Sequence, residues 1–298
     1  MKKLTSIAAI ALVGALVTAG TASAASTEPS THQDFEAKSF AGSKPGKTPK
    51  AGPIGTYLNP FHNETWPQVS STTVGAMQVT PPFATVISYV YLDKNVTFNA
   101  DPFPGCSKEK VLALNPAVKG AAAAGCPKES QIGAGTAAGF ARAANSPAGS
   151  ATCASGCAYL LTTKLQTRTF ASGIKNTIYL YTYNELTKGN VIVGTLEKYK
   201  SSKYGSRIRF VLPKGLIQPT AGVVSQLSTF DSTIPAQSYK GKSLTTLRKC
   251  PSNKKVWAGY QGLYSDNATP KAGVSPIDGT DFVVTSQSPI VDRSGKCK

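Results

Sequence analysis

Histidine is nearly absent from this chain: there are two in 298 residues, His32 and His62. A Ser-His-Asp hydrolase would have to use His62 as its base, within Phe61-His-Asn-Glu-Thr-Trp66, and no G-x-S-x-G elbow supplies it with a nucleophile. His-Asn-Glu is not the H-E-x-x-H of zinc hydrolases, and two histidines across a flexible linker make a poor ligand set. Nucleotide chemistry fails on glycine spacing. Gly133-Ala-Gly135 lacks the third glycine of a dinucleotide fingerprint and no G-x-x-x-x-G-K-[ST] occurs, so these glycines read as a tight turn. Charge is scarce too, at 16% of residues, against 41% hydrophobic residues with Gly 27 and Pro 20. That balance excludes an intrinsically disordered chain, a coiled coil and a polytopic membrane protein. Past the N-terminus no apolar run approaches the roughly 20 residues of a spanning helix. The expectation is a non-catalytic chain with no cofactor, no metal and no transmembrane segment.

What is present begins with an export signal. Lys2 and Lys3 precede the apolar run Ile7 to Val17, and Ala22-Ser23-Ala24 forms an A-x-A cleavage site, so residues 1–24 read as a signal peptide and the product as secreted. Six cysteines in an exported chain imply disulfides, because the space outside the cytoplasm is oxidising. Six allow many pairings, among which sequence does not decide. Proximity favours Cys106 with Cys126, Cys153 with Cys157, and Cys250 with Cys297, each closing a local loop. The competing reading of Cys153-Ala-Ser-Gly-Cys157 is a redox or metal site. Its spacing is not C-x-x-C and no histidine or second cysteine pair adjoins it, which favours a structural clip.

Residues 25–52, rich in Ser, Thr, Pro, Gly and Lys, have linker composition. From Pro53 onward apolar residues alternate and turn residues recur. Thr85 to Leu92 sets Ile87, Tyr89 and Tyr91 against Val86, Val90 and Leu92; Thr177 to Tyr183 sets Tyr179, Tyr181 and Tyr183 against Ile178 and Leu180. Side chains two apart share a strand face, so both read as strands with one aromatic side. Val191 to Val193 and Arg207 to Leu212 read as a hairpin, with Ile208, Phe210 and Leu212 inward and both arginines outward. Ala158 to Leu165, Val223 to Phe230, Lys255 to Tyr264 and Thr280 to Thr285 complete the strand candidates. Ser107 can cap a short helix through Leu114, and Asn115-Pro116 can start another into Ala121 to Ala124, both inside the proposed loop from Cys106 to Cys126. The fold expected for residues 53–298 is an all-β antiparallel sandwich with one or two short helices in a disulfide loop, as one core or as two packed sandwiches.

Asp101-Pro-Phe-Pro-Gly-Cys106, Cys126-Pro-Lys-Glu-Ser-Gln-Ile-Gly-Ala-Gly135 and Cys250-Pro…Trp257…Tyr264 with Cys297 carry a further signal. Over residues 85–140 and 205–297 the chain resembles a group of uncharacterised secreted β-sandwich proteins of actinobacteria, in which C…CPxxSxIGxG and CP…W…C segments recur. The resemblance supports the local cysteine pairs other than Cys153 with Cys157. Its motifs are structural, so it assigns no active residue.

Charge balance supplies the positive functional signal. The chain has 32 Lys and Arg against 15 acids, a formal net charge of +17. Lys188, Lys198, Lys200, Lys203, Arg207, Arg209 and Lys214 face Glu197 alone in one run; Lys240, Lys242, Arg248, Lys249, Lys254 and Lys255 form a second. Tyr199 and Tyr204 interleave with the first. Lys198, Tyr199, Lys200, Lys203, Tyr204, Arg207 and Arg209 are therefore the candidate binding residues for an anionic polymer or cell-envelope component, with no motif selecting nucleic acid. The plainer reading is a solvated hairpin whose lysines prevent edge-to-edge pairing. The Tyr179, Tyr181 and Tyr183 stripe reads as packed rather than sugar-stacking, and Trp257 as core. A second function class stays open: a carbohydrate-active hydrolase with two carboxylates across a cleft. Asp278 and Asp281 flank Gly279, but Asp278-Gly279 is a hairpin-turn pair. Sequons stand at Asn63, Asn95 and Asn267.

Overall fold

Alternating β-branched and aromatic residues make strands here because each pleated face can be buried separately. The computed structural model describes residues 34–37, 54–59, 84–115, 120–143, 159–184, 189–235, 237–265, 268, 271 and 279–296. Its strands are β1 (Asp34–Ala37), β2 (Ile54–Asn59), β3 (Ala84–Asp93), β4 (Val96–Phe98), β5 (Gln131–Ala143), β6 (Tyr159–Ala171), β7 (Thr177–Tyr183), β8 (Asn190–Lys198), β9 (Tyr204–Val211), β10 (Val223–Ile234), β11 (Ser238–Tyr239), β12 (Lys242–Ser243), β13 (Thr245–Leu247), β14 (Lys255–Ser265), β15 (Ser286–Gln287) and β16 (Val291–Lys296). Two short helices, α1 (Lys108–Leu112) and α2 (Lys214–Ile217), join them.

The fold is the all-β antiparallel sandwich expected, with one refinement. A single sheet in the order β1-β2-β10-β5-β6-β7-β8-β9-β3-β14-β15, with β16 also on β14, provides the main layers. It curls until β1 comes close to β16 and β10 comes close to β3. Curling lets one sheet bury its own inner face. Leu92, Ile178 and Ile208 fill one end of the interior, closed by the small ribbon of β4 and β13. Ile87, Val224, Ile217 and Phe282 fill the other, beneath α2. Among the described residues no helix is long and apolar enough to cross a membrane.

The outer face of β6 and β7 is covered by the lobe between Cys106 and Cys126. These cysteines are bridged, with Cα atoms 5.5 Å apart. Ser107 caps α1, its hydroxyl accepting the N–H of Lys110 at 3.4 Å, and Ala121–Ala124 forms a 3-10 turn. Val111, Leu114 and the alanines lie on Phe170, Tyr179 and Tyr181. Each such ring withdrawn from water contributes about 1.5–3 kcal/mol. The tyrosine stripe is thus packed: Tyr183 at its edge stacks on Tyr181, centroids 5.2 Å apart. Cys250 is also disulfide-bonded, to a partner outside the described residues. The β14 and β16 register sets Lys296 opposite Lys255, returning the end of the chain to the segment after Cys250. The signal peptide, His32, His62, Cys153, Cys157 and Cys297 lie outside the described residues.

Three expectations change. Asp34–Ala37, inside the stretch of linker composition, is the edge strand β1: it pairs with β2, and composition does not report an available backbone edge. Gly133 and Gly135 are not a turn but lie within β5. A Cβ at Gly135 would collide with the backbone carbonyl of Asp231 on β10, so the glycine permits a close strand approach. Thr280 to Thr285 is not a ladder strand. The Phe282 N–H bonds to Thr280 Oγ1 at 3.3 Å, a local turn that competes with pairing, and the fully buried Phe282 ring anchors the segment.

Candidate functional site at the basic end

The turn between β3 and β4 holds the site together. Asp93 is buried, and its Oδ1 accepts the backbone N–H of Asn95 at 2.7 Å and the Asn95 side-chain amide at 3.0 Å. Its Oδ2 accepts the N–H of Trp257 on β14 at 2.9 Å. Lys94 joins this turn to the β8–β9 loop: its N–H donates to Lys203 O at 3.0 Å and its ammonium to Ser202 O at 2.7 Å. On the other side Arg248 donates its backbone N–H to Asn95 O at 2.8 Å and a guanidinium N–H to Lys94 O at 3.5 Å. One turn therefore brings together the two basic runs, Lys188 to Lys214 and Lys240 to Lys255, which are separate in sequence. Lys94, Lys198, Lys200, Arg248, Lys249, Lys254 and Lys255 are all exposed there.

The seven candidate residues divide by role. Lys198 and Lys200 are exposed at the end of β8 and in the loop after it. Arg207 and Arg209 project from the outer face of β9, and each donates its Nε–H to one oxygen of Glu197, both at 2.9 Å. Arg207 is also stacked, 4.1 Å from the Tyr89 centroid and 5.5 Å from that of Tyr199. Lys203 donates to Asp292 Oδ2 on β16 and lies over the Trp257 ring, 4.4 Å from its centroid. Tyr204 is 3% exposed, and its hydroxyl donates to Asp292 Oδ1. Burial, then the bond to the Asp292 carboxylate, raises its phenol well above the ordinary tyrosine range. Tyr204 is therefore a structural residue rather than a ligand contact. It starts β9 beside a register shift, which turns its ring across β14 above Gly259.

Trp257 corrects the core assignment: it is half-buried on the outer face, where it carries Lys203. Tyr91 stands beside it on β3, donating to Gln261 Oε1 at 2.6 Å with its ring 4.8 Å from that of Tyr199; burial raises its pKa. Lys94 and the Asp93 hub were not singled out from the sequence. An Asp directly before Lys-Asn at the end of an apolar alternating run was the available signal, since such a carboxylate ties its own turn.

Asn95 is 2% exposed, so this sequon is enclosed by the fold; Asn63 and Asn267 lie outside the described residues. Asp281 is exposed beside Gly279, whose φ of 73° is the left-handed value expected of a turn glycine, and Asp278 lies outside the described residues. Among the described residues no three His, Cys, Asp or Glu side chains gather in a metal-holding group. Comparison of the chain with protein-family models, with curated proteins and with solved structures finds no match in any of the three.

Proposed function

We propose that the chain is an exported, non-catalytic β-sandwich that contacts an anionic polymer or other anionic cell-envelope material through its basic end. The observation that carries this reading is the convergence of the two basic runs on the Asp93-Lys94-Asn95 turn. Seven exposed cations on one end raise the local potential and attract a polyanion in proportion to how many phosphates or sulfates they neutralise. Arg207 and Arg209 are neutralised in part by Glu197, and Lys203 by Asp292, so these three hold the face in shape. Lys94 and Arg248 tie the turn to its neighbours, and the contacts with a polyanion fall to the exposed Lys198, Lys200, Lys249, Lys254 and Lys255.

The test is retention on heparin and on a polyphosphate resin at graded salt. Reversing Lys198, Lys200 and Lys249 together to Glu should lower the eluting salt on both and flatten the dependence of affinity on salt. Equal retention of this variant and of a control with three exposed lysines outside the basic end, Lys108, Lys128 and Lys164, reversed would show that only net charge matters and would sink the reading.

A further inference from the structure

The curled sheet does not fill its own interior. Between the inner faces of β3, β7, β9 and β10 lies a hollow of about 90 Å³. A second, of about 50 Å³, adjoins it and shares Val90, Leu180, Phe210 and Phe230 as lining. Leu216 and Ile217 of α2 line the larger space. Among the described residues the lining of both carries no Asp, Glu, Lys, Arg or His.

The same hollow gathers unsatisfied polar atoms. Gln226, Thr85 and Thr182 all line it, with exposures of 1%, 2% and 4%. Gln226 Oε1 and Nε2, Thr85 Oγ1 and Thr182 Oγ1 have no hydrogen-bond partner. A buried amide with neither its donors nor its acceptor used is costly, and apolar side chains of the same shape would remove the cost. On the same lining Ser88 Oγ and the Tyr260 hydroxyl satisfy each other at 3.0 Å, so polar groups there are capable of pairing when nothing is to be bound.

We propose that this hollow is a binding site for a small neutral amphiphile, an amide or alcohol with a short aliphatic tail. The head would bond to Gln226 with Thr85 and Thr182, and the tail would run along Val90, Leu180, Phe210 and Phe230 into the second space. A primary amide suits Gln226 best, because two amides can exchange a donor and an acceptor reciprocally. A carboxylate suits it poorly, since no cation among the described lining residues would compensate the buried charge. The larger space is smaller than the engineered cavity of about 150 Å³ that admits benzene, so a narrow chain fits and a ring does not. The site is separate from the basic end and does not depend on it.

Calorimetric titration with hexanamide, hexanol, hexanoate and hexane tests the assignment, with protein NMR locating the shifts. Hexanamide should bind the wild-type chain at least about ten-fold more tightly than hexanoate at neutral pH. Gln226→Leu should lose a similar factor for hexanamide while keeping its affinity for hexane. Thr182→Val serves the same comparison should the first variant fail to fold. Absence of hexanamide binding would mean that the hollow holds only water, and an unchanged hexanamide affinity in both variants would remove the polar head site; either result overturns the proposal.

Discussion

The ammonium of Lys203 lies over the indole of Trp257, 4.4 Å from the ring centroid, and the same ammonium pairs with Asp292. The contact joins the β8–β9 loop to β14 and β16 across the outer face of the sheet. It follows that Lys203→Met, which keeps the apolar stem and removes the charge, should cost about 1 kcal/mol and alter the emission of Trp257. Lys203→Arg should restore most of both. Urea unfolding with fluorescence detection reads the two quantities together, and a Met variant indistinguishable from wild type in both would show that the contact is incidental.

Removing the bridge between Cys106 and Cys126 tests what holds the lobe over the tyrosines. The bridge spans 20 residues. In the chain-entropy account a loop of that size contributes about 3 kcal/mol. Cys106→Ser with Cys126→Ser should lower stability by roughly that amount and speed hydrogen exchange over 108–124, with Tyr179 and Tyr181 becoming accessible to solvent perturbation. Full protection of the lobe in the double variant would assign the work to Val111 and Leu114 packing instead.

Alkaline pH should weaken the fold through its buried phenols. Burial pushes Tyr260 up to about 12, opposed by its bond to Ser88, and raises Tyr204 as well. An unfolded tyrosine ionises near about pH 10. The folded pKa is the higher, so the stabilisation is complete below about pH 10 and is lost as pH climbs toward the folded value. Tyr260→Phe should flatten that decline. Unfolding free energies measured across this range, alongside tyrosinate absorbance, check it; parallel declines for variant and wild type would contradict it.

Gly135 offers a steric test within β5. Gly135→Val drives a side chain into the Asp231 carbonyl and should destabilise by about 1–3 kcal/mol. Gly215→Ala in α2, whose nearest neighbour would be Asn190 Oδ1 at 3.5 Å, should be neutral or stabilising by up to about 1 kcal/mol. Melting temperatures of the two variants should therefore move apart, and a well-tolerated Val at 135 would show that β10 can give way.

The period-two patterns around Tyr89 and Tyr181 and the hairpin of β8 and β9 were legible because each strand face has a distinct environment. So was the packing of the tyrosine stripe, since an aromatic strand face is usually covered, but not that the lobe between Cys106 and Cys126 covers it. β5 escaped because Gly and Ala carry almost no periodic signal, and its role depends on β10, which lies far along the chain. Tyr204, read as a loop residue among lysines, is instead the first residue of β9 with its ring buried, because the strand begins earlier than the basic composition suggests. The meeting of the Ser202-Lys203 loop with Arg248 was hidden for a different reason: it runs through the Lys94-Asn95 turn that Asp93 holds, and pairing over such distances leaves no local trace. Nor could apolar alternation reveal that Val90, Phe210 and Phe230 line space that no side chain fills.

Asn95, closed inside the β3–β4 turn, bears on how this chain can be manufactured. An oligosaccharide added to Asn95-Val96-Thr97 during synthesis in a eukaryotic secretory host would have nowhere to go once Asp93 claims the amide, so each sugar attached there diverts a molecule from the native state. Thr97 is exposed on β4, and Thr97→Val erases the acceptor signal without touching Asn95. Yield of secreted, correctly oxidised material from such a host should rise with that change, and an equal yield would mean that folding outruns the transferase.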